Sequence, residues 1–160
     1  MQPEPLHCYC GNALAFEQCC KPLLLGECLA ASPELLMRSR FSAYVTANYA
    51  YILATYATEQ RANLSIEELK TSAENTQWLR LVVHSSEHKG LHGIVEFSAF
   101  YQANQQCYVM HETSSFILEQ GQWRYTTGIM HKDSGPYIQQ RNDLCLCNSG
   151  KKYKKCCGNS

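Results

Sequence analysis

At 160 residues the chain is long enough for one domain with its own hydrophobic core plus short appendages, and too short for two full-sized domains. Its 14 basic and 14 acidic residues cancel, which removes any whole-molecule field that would draw it strongly to nucleic acid or an anionic membrane. A hydrophobic content of 45% with ten tyrosines excludes a disordered or fibrous chain, whereas ten cysteines ask for a chemical explanation.

The start, Met1-Gln2-Pro3-Glu4-Pro5, has no basic stretch ahead of an apolar run, and Leu23-Leu24-Leu25 is too short for a signal core or a membrane span. A cytoplasmic protein with no membrane partner is therefore expected. In a reducing cytosol, clustered cysteines read as metal ligands more readily than as a disulfide framework. The first cluster is Cys8-Tyr9-Cys10, then eight residues, then Cys19-Cys20. It lies in a segment, residues 1–28, that carries Lys21 against Glu4, Glu17 and Glu27.

Ser32-Pro33-Glu34 opens the first helix, with Ser32 able to cap the free amides, Pro33 preset at the first helical position and Glu34 suited to the positive end of the dipole. Leu36, Met37, Phe41, Tyr44 and Val45, then Ile52, Leu53 and Tyr56, keep helical spacing with a slip near Asn48. That predicts one long helix or two with a break there. Ser65 with Glu68 makes a capping box and Leu64 with Leu69 a hydrophobic staple, so a short helix should run to about Asn75.

From Trp78 the period becomes two. Alternating runs cover residues 78–84, 93–101, 106–119 and 122–127, with turn chemistry at Lys89-Gly90, Ala103-Asn104 and Gln120-Gly121. Helices followed by a strand meander form the α+β pattern, in which helices cover one face of a curved antiparallel sheet; residues 29–130 make this core. Large residues on both strand faces predict partial cover on both sides. Residues 131–142, turning at Ser134-Gly135-Pro136, read as a linker.

The last segment, residues 143–160, repeats the first spacing: Cys145-Leu146-Cys147, eight residues, Cys156-Cys157. Tyr153 stands six positions after Cys147 as Phe16 stands six after Cys10, so a site is repeated and not merely its cysteines. Soft thiolates select zinc, and four protein ligands make a closed, tetrahedral, structural site with no position for water. Two zinc ions are expected, one on Cys8, Cys10, Cys19 and Cys20 and one on Cys145, Cys147, Cys156 and Cys157. A redox dithiol and an iron–sulfur cluster are the competing readings. A disulfide between the neighbours Cys156 and Cys157 is disfavoured, because consecutive Cα atoms are only about 3.8 Å apart. Cys28 and Cys107 fall outside both sets and are expected to be small buried hydrophobes. Arg141 and four lysines against Asp143 make the last segment basic, but a divalent ion on four thiolates adds about −2 and offsets half of that charge.

The insert Ser149-Gly150-Lys151-Lys152-Tyr153-Lys154-Lys155 within this cysteine spacing resembles the SEC-C motif, the zinc knuckle at the C-terminus of the preprotein-translocase motor. In that motor a His stands in place of the second vicinal Cys, and a Pro and a Gly are frequent where this chain has Leu146 and Asn148. Across the chain, residues 37–45, Trp78-Leu79-Arg80-Leu81, residues 95–101 and His111-Glu112-Thr113-Ser114-Ser115-Phe116 resemble the bacterial YchJ family. The resemblance implies two SEC-C knuckles flanking a nuclear-transport-factor-2-like cone, and no assigned reaction.

Such a cone commonly holds a pocket, for which Trp78, Arg80 and His84 on one strand face, with Tyr101 and Tyr108, are the candidates. His111 and Glu112 are neighbours in a strand and face opposite ways. Arg38 and Arg40 are expected to meet Glu96 and Glu112 in helix-to-sheet ion pairs or to lie at solvated edges. With no Gly-rich phosphate loop and no Ser-His-Asp order, no catalytic residue is assigned and an enzyme is the less favoured reading. The leading function is a zinc-binding adaptor whose C-terminal knuckle presents Lys151, Lys152, Tyr153, Lys154 and Lys155 to a protein partner. The alternatives are a small-molecule-binding or enzymatic core, and RNA or ribosome binding through the basic knuckle, for which four lysines and one aromatic are a thin footprint.

Overall fold

The computed structural model describes residues 7–159. A one-turn helix, α1 (Lys21–Leu24), closes the N-terminal knuckle. Ser32 Oγ then accepts the Leu35 amide at 3.2 Å and Pro33 fills the first turn, so α2 (Pro33–Val45) begins where its capping residues dictate. It stops because Ala47 takes φ +57° and Asn48 accepts the Tyr51 amide, capping a second helix, α3 (Tyr49–Ala54). The slip near Asn48 is thus a true break between two helices. One further turn, α4 (Thr58–Arg61), has its first amide capped by Glu119 from the sheet at 3.1 Å, a partner no local pattern announces. The capping box of Ser65 and Glu68 is complete in both directions and starts α5 (Ile66–Ser72).

Four strands follow in an antiparallel meander, β1 (Thr76–Lys89), β2 (His92–Ala103), β3 (Gln106–Glu119) and β4 (Gln122–Met130), in the order β1-β2-β3-β4. Asn104 with Gln105, and Gln120 with Gly121, take the paired positive φ that tight hairpins with right-handed strand twist require. The inner face of the sheet, with Leu81, Val95, Phe97, Ala99, Phe116 and Trp123, packs against Leu36, Met37 and Phe41 of α2 to form the main core. Deleting a ring such as Phe97, 2% exposed, would cost about 3–5 kcal/mol in lost burial and cavity formation. Ala43, Ile52 and Leu69 tie α2, α3 and α5 together in a satellite cluster.

Two irregularities in β1 decide which side chains share a face. Trp78 lies opposite Tyr101, yet Arg80 lies opposite Phe100, because Leu79 is an extra residue; a second shift at His84 separates Val83, opposite Phe97, from Ser85, opposite Glu96. The alternation read from the sequence is therefore broken at Leu79 and again at His84.

Residues 131–142 do more than link. β4 ends opposite Glu112, leaving the first half of β3 unpaired on that side, and the returning chain fills the gap with β5 (Gly135–Pro136), paired to Tyr108 and Val109. Tyr137 donates its amide to Cys107 O at 2.9 Å and sets its ring edge-on against Phe100 on the outer face, 4.9 Å between centroids. The two unassigned cysteines also depart from expectation: Cys28 is exposed and Cys107 half-buried. Among the described residues no helix is long and apolar enough to cross a membrane.

Candidate functional site

Cys8, Cys10, Cys19 and Cys20 bring four sulfurs within 4.8 Å of one another, and so do Cys145, Cys147, Cys156 and Cys157. Sulfur separations of 3.7 Å (Cys10 to Cys19), 4.0 Å (Cys19 to Cys20) and 3.4 Å (Cys147 to Cys156) bracket the roughly 3.8 Å edge of a tetrahedron with metal–sulfur bonds of about 2.3 Å. All ten cysteines are free. Crowded thiols resist joint ionisation: hydrogen bonds from Cys10 and Cys20 hold Cys8 low, the contacts with Cys10 and Cys8 drive Cys20 up, and the hydrogen bond with Cys145 pushes Cys157 up to about 12. A divalent cation supplies the charge that lets all four thiolates coexist. Both tetrads have a donor set and spacing that could hold a metal ion.

The two loops are copies down to the backbone. Cys8 N donates to Leu14 O at 2.7 Å and Cys145 N to Lys151 O at 2.8 Å; Gly11 N reaches Cys8 O and Asn148 N reaches Cys145 O. Each loop carries a 3-10 turn, Phe16–Gln18 or Tyr153–Lys155. Asn12 Nδ2 meets Cys19 Sγ at 3.5 Å as Ser149 Oγ meets Cys156 Sγ at 3.2 Å. Gly11 at φ +92° and Asn148 at φ +64° occupy the same left-handed position, where glycine is easiest and asparagine is next.

Their surroundings differ. The first knuckle is part of the main core: Cys8, Cys10 and Cys20 are buried, Cys8 Sγ touches Ser42 Oγ of α2, and Arg38 Nη1 donates to Cys10 O at 2.7 Å while its Nε holds Glu34. The second rests on a polar base in which Tyr137 OH and Gln140 N both donate to Asp143 Oδ2 and Leu146 N donates to Gln139 Oε1. Of that tetrad only Cys145 is buried, and Lys151, Lys152 and Lys155 are exposed, with Tyr153 and Lys154 half-buried. Both knuckles meet the outer edge of β1, where a Cβ on Gly11 would press on Leu81 O at 3.2 Å and Asn148 Nδ2 donates to Leu79 O at 2.6 Å.

Between helices and sheet lies a cavity of about 250 Å³ whose lining includes Arg40, Tyr44, Tyr56, Trp78, Glu112 and Tyr125. Buried Arg40 donates to Ile52 O (2.9 Å) and Thr55 Oγ1 (2.6 Å), its guanidinium over the rings of Tyr56 and Tyr125. Buried Glu112 accepts from Ser114 Oγ and Tyr125 OH at 2.8 and 3.0 Å. Burial, reinforced by the Glu112 charge, raises the Tyr125 phenol well above its usual range, and burial pushes Tyr44 up to about 12. Glu112 has room because residue 128, across the strand pair, is glycine; a Cβ there would collide with its carboxylate.

Of the residues assigned to the pocket from sequence, Trp78 lines it. Tyr101, 5.0 Å from Trp78, and Tyr108, stacked on Tyr101 at 5.3 Å, continue an aromatic row beyond the cavity. Arg80 and His84 do not line it: the extra residue at Leu79 turns Arg80 to the outer face with Phe100, and His84 bonds Ser98 there at 2.8 Å. The expected helix-to-sheet ion pairs do not form among the described residues either. Arg38 pairs within its helix, and Arg40 is satisfied by a carbonyl, a hydroxyl and two aromatic faces.

The outer face carries a cluster that strand-by-strand reading missed. His111 Nε2 meets Glu96 Oε2 at 2.7 Å and its Nδ1 meets Asp133 Oδ1 at 2.8 Å. The bond to Glu96, then that to Asp133, raises the imidazole above its ordinary value and holds both carboxylates below theirs. His131 stacks on His111 at 3.9 Å, and His84 meets it edge-on at 5.2 Å. A signal existed: the turn after Ala103 places Ser98 opposite His111 and Glu96 opposite Thr113, and the turn at Gln120 returns the chain past His111 near residue 131.

A family model described as the YchJ middle domain, NTF2-like, matches residues 32–128, and one described as the SEC-C motif matches residues 141–159. The chain is 37% identical to a UPF0225 protein of Vibrio cholerae over 96% of its length and all of the relative's, and 42% identical to one of Yersinia pseudotuberculosis over 94% and 97%. Among solved structures it is similar to a SEC-C motif containing protein of Rhodopseudomonas palustris, with TM-score 0.75 and 35% identity over 78% of this chain and 98% of that one. A second, from Psychrobacter arcticus, gives TM-score 0.68 and 26% identity over 98% and 96%.

Proposed function

The chain belongs to the YchJ family of UPF0225 proteins, and from that premise we propose that it is a zinc-stabilised docking protein whose C-terminal knuckle engages an acidic protein surface. The observation that supports this is the unequal use of two matching loops. One tetrad is absorbed into the core, with Cys10 wholly buried, while the other leaves Cys147, Cys157 and three lysines in solvent. Zinc is the metal proposed for both, on ligand softness and on the tetrahedral sulfur spacing. A loop fixed by metal and by its base loses little freedom on binding, which favours recognition by a small surface. Its own thiolates halve its positive charge, which favours a short-range acidic protein contact over RNA.

Metal analysis of the purified full chain should give two zinc ions per molecule; substantially less than one removes the premise. A photo-crosslinking residue at position 153, introduced in cells, should yield a discrete protein adduct that disappears when Lys151, Lys152, Lys154 and Lys155 are all changed to Glu. Adducts to RNA, or adducts indifferent to the charge reversal, would replace the protein-docking reading.

A second reading has its own support, since Arg40 and Glu112 face one aromatic cavity with no ion pair between them. Such a site suits a small polar molecule carrying both charge types. A thermal-shift screen should find ligands whose stabilisation is lost in Glu112→Gln, and a screen without hits argues against it.

A further inference from the structure

We propose that Glu96, His111 and His131 form a third metal site on the outer face of the sheet, for a borderline divalent cation of the zinc, nickel or cobalt type. Each residue offers one donor atom, and the three lie within 4.8 Å of one another. Tetrahedral nitrogen and oxygen donors at about 2.0–2.1 Å from a cation lie roughly 3.4 Å apart, a spacing the set would reach as Glu96 parts from His111 Nε2 and the His131 ring, whose Nε2 now meets Thr113 Oγ1 at 2.7 Å, turns toward the ion. Two imidazoles and one carboxylate select borderline metals, neither the thiolate-seeking nor the purely oxygen-seeking class.

Two further observations separate this site from an accidental cluster. Asp133 already holds His111 Nδ1 at 2.8 Å, which fixes the ring so that Nε2 points toward Glu96, the carboxylate–histidine–metal relation that orients ligands in metal sites. The backbone is fixed as well: Ser134 Oγ bonds both His111 N and His111 O, and His131 N donates to His111 O at 2.8 Å. Two strands, β2 and β3, and the segment after β4 thus hold the donors before any ion arrives. With three protein ligands the site is open, leaving at least one position for water or another ligand, unlike the closed cysteine tetrads.

The full chain, purified with its own metal and then dialysed against excess Co2+, should bind one equivalent more than His111→Asn and His131→Phe variants treated identically. His131→Phe keeps a ring against His111, so it separates lost ligation from lost packing. The difference between wild type and variant reads this site whatever the tetrads hold. The extra equivalent should show weak d–d absorption without the intense thiolate charge-transfer bands, and Asp133→Asn should weaken it about 10- to 100-fold without abolishing it. Equal uptake by wild type and both variants overturns the site, as does an extra equivalent that carries thiolate bands.

Discussion

The two knuckles share a cysteine spacing, a backbone hydrogen-bond pattern, a 3-10 turn and a left-handed residue, and differ in what lies beneath them. The first replaces part of the hydrophobic core: its sulfurs sit among Phe41, Leu81 and Val95. The second sits on tyrosine, aspartate and glutamine side chains and keeps its far half in water. The difference teaches that one loop pattern can be seated on two kinds of floor. On the apolar floor three of its four cysteines are buried, and on the polar one only Cys145 is.

Replacing one ligand in each loop should divide the pair most sharply. Cys10→Ser removes a wholly buried ligand and leaves an unpaired hydroxyl in the core, so chemical denaturation followed by Trp78 and Trp123 fluorescence should show a global loss of about 3–5 kcal/mol. Cys147→Ser should change that transition by less than about 0.5 kcal/mol while releasing the second metal. Equal losses would break the contrast. Next in size is Gly11→Ala, which forces a side chain into φ +92° and against Leu81 O; about 1–3 kcal/mol of the same global transition should disappear. At the matching position, Asn148→Ala loses the bond to Leu79 O and should cost about 1 kcal/mol, read as faster exchange of the Cys145 and Tyr153 amides with the Cys8 and Cys19 amides still protected. The smallest effect on folding belongs to reversing the four tail lysines, within about 0.5 kcal/mol by the same denaturation, because three of them are exposed and none forms an ion pair among the described residues.

Local chemistry was readable in the sequence. The caps at Ser32 and Ser65, the slip at Asn48, which proves to be a break between two helices, the three turns and the cysteine repeat each involve residues within a few positions of one another, and the structure holds all of them. The pocket was readable only as far as Trp78, because a face assignment carried along a strand assumes an unbroken alternation and one extra residue at Leu79 inverts it. Pairing of Gly135 and Pro136 with β3 was hidden for another reason: it depends on where β4 stops, a property of two strands together. The histidine cluster draws on positions 84, 96, 111 and 131, which meet only once the register of three hairpins is known.

Gly128 gives the cavity a control point that no lining residue reveals. It contributes no side chain, yet the Glu112 carboxylate occupies the space a methyl group there would claim. A single alanine at 128 would force the carboxylate of the one acid lining the cavity among the described residues to shift from its place beside Ser114 and Tyr125, and so move it relative to Arg40. The placement of charge in the chamber is thus hostage to a hydrogen atom on a neighbouring strand, and could be rewritten without altering any residue that lines it.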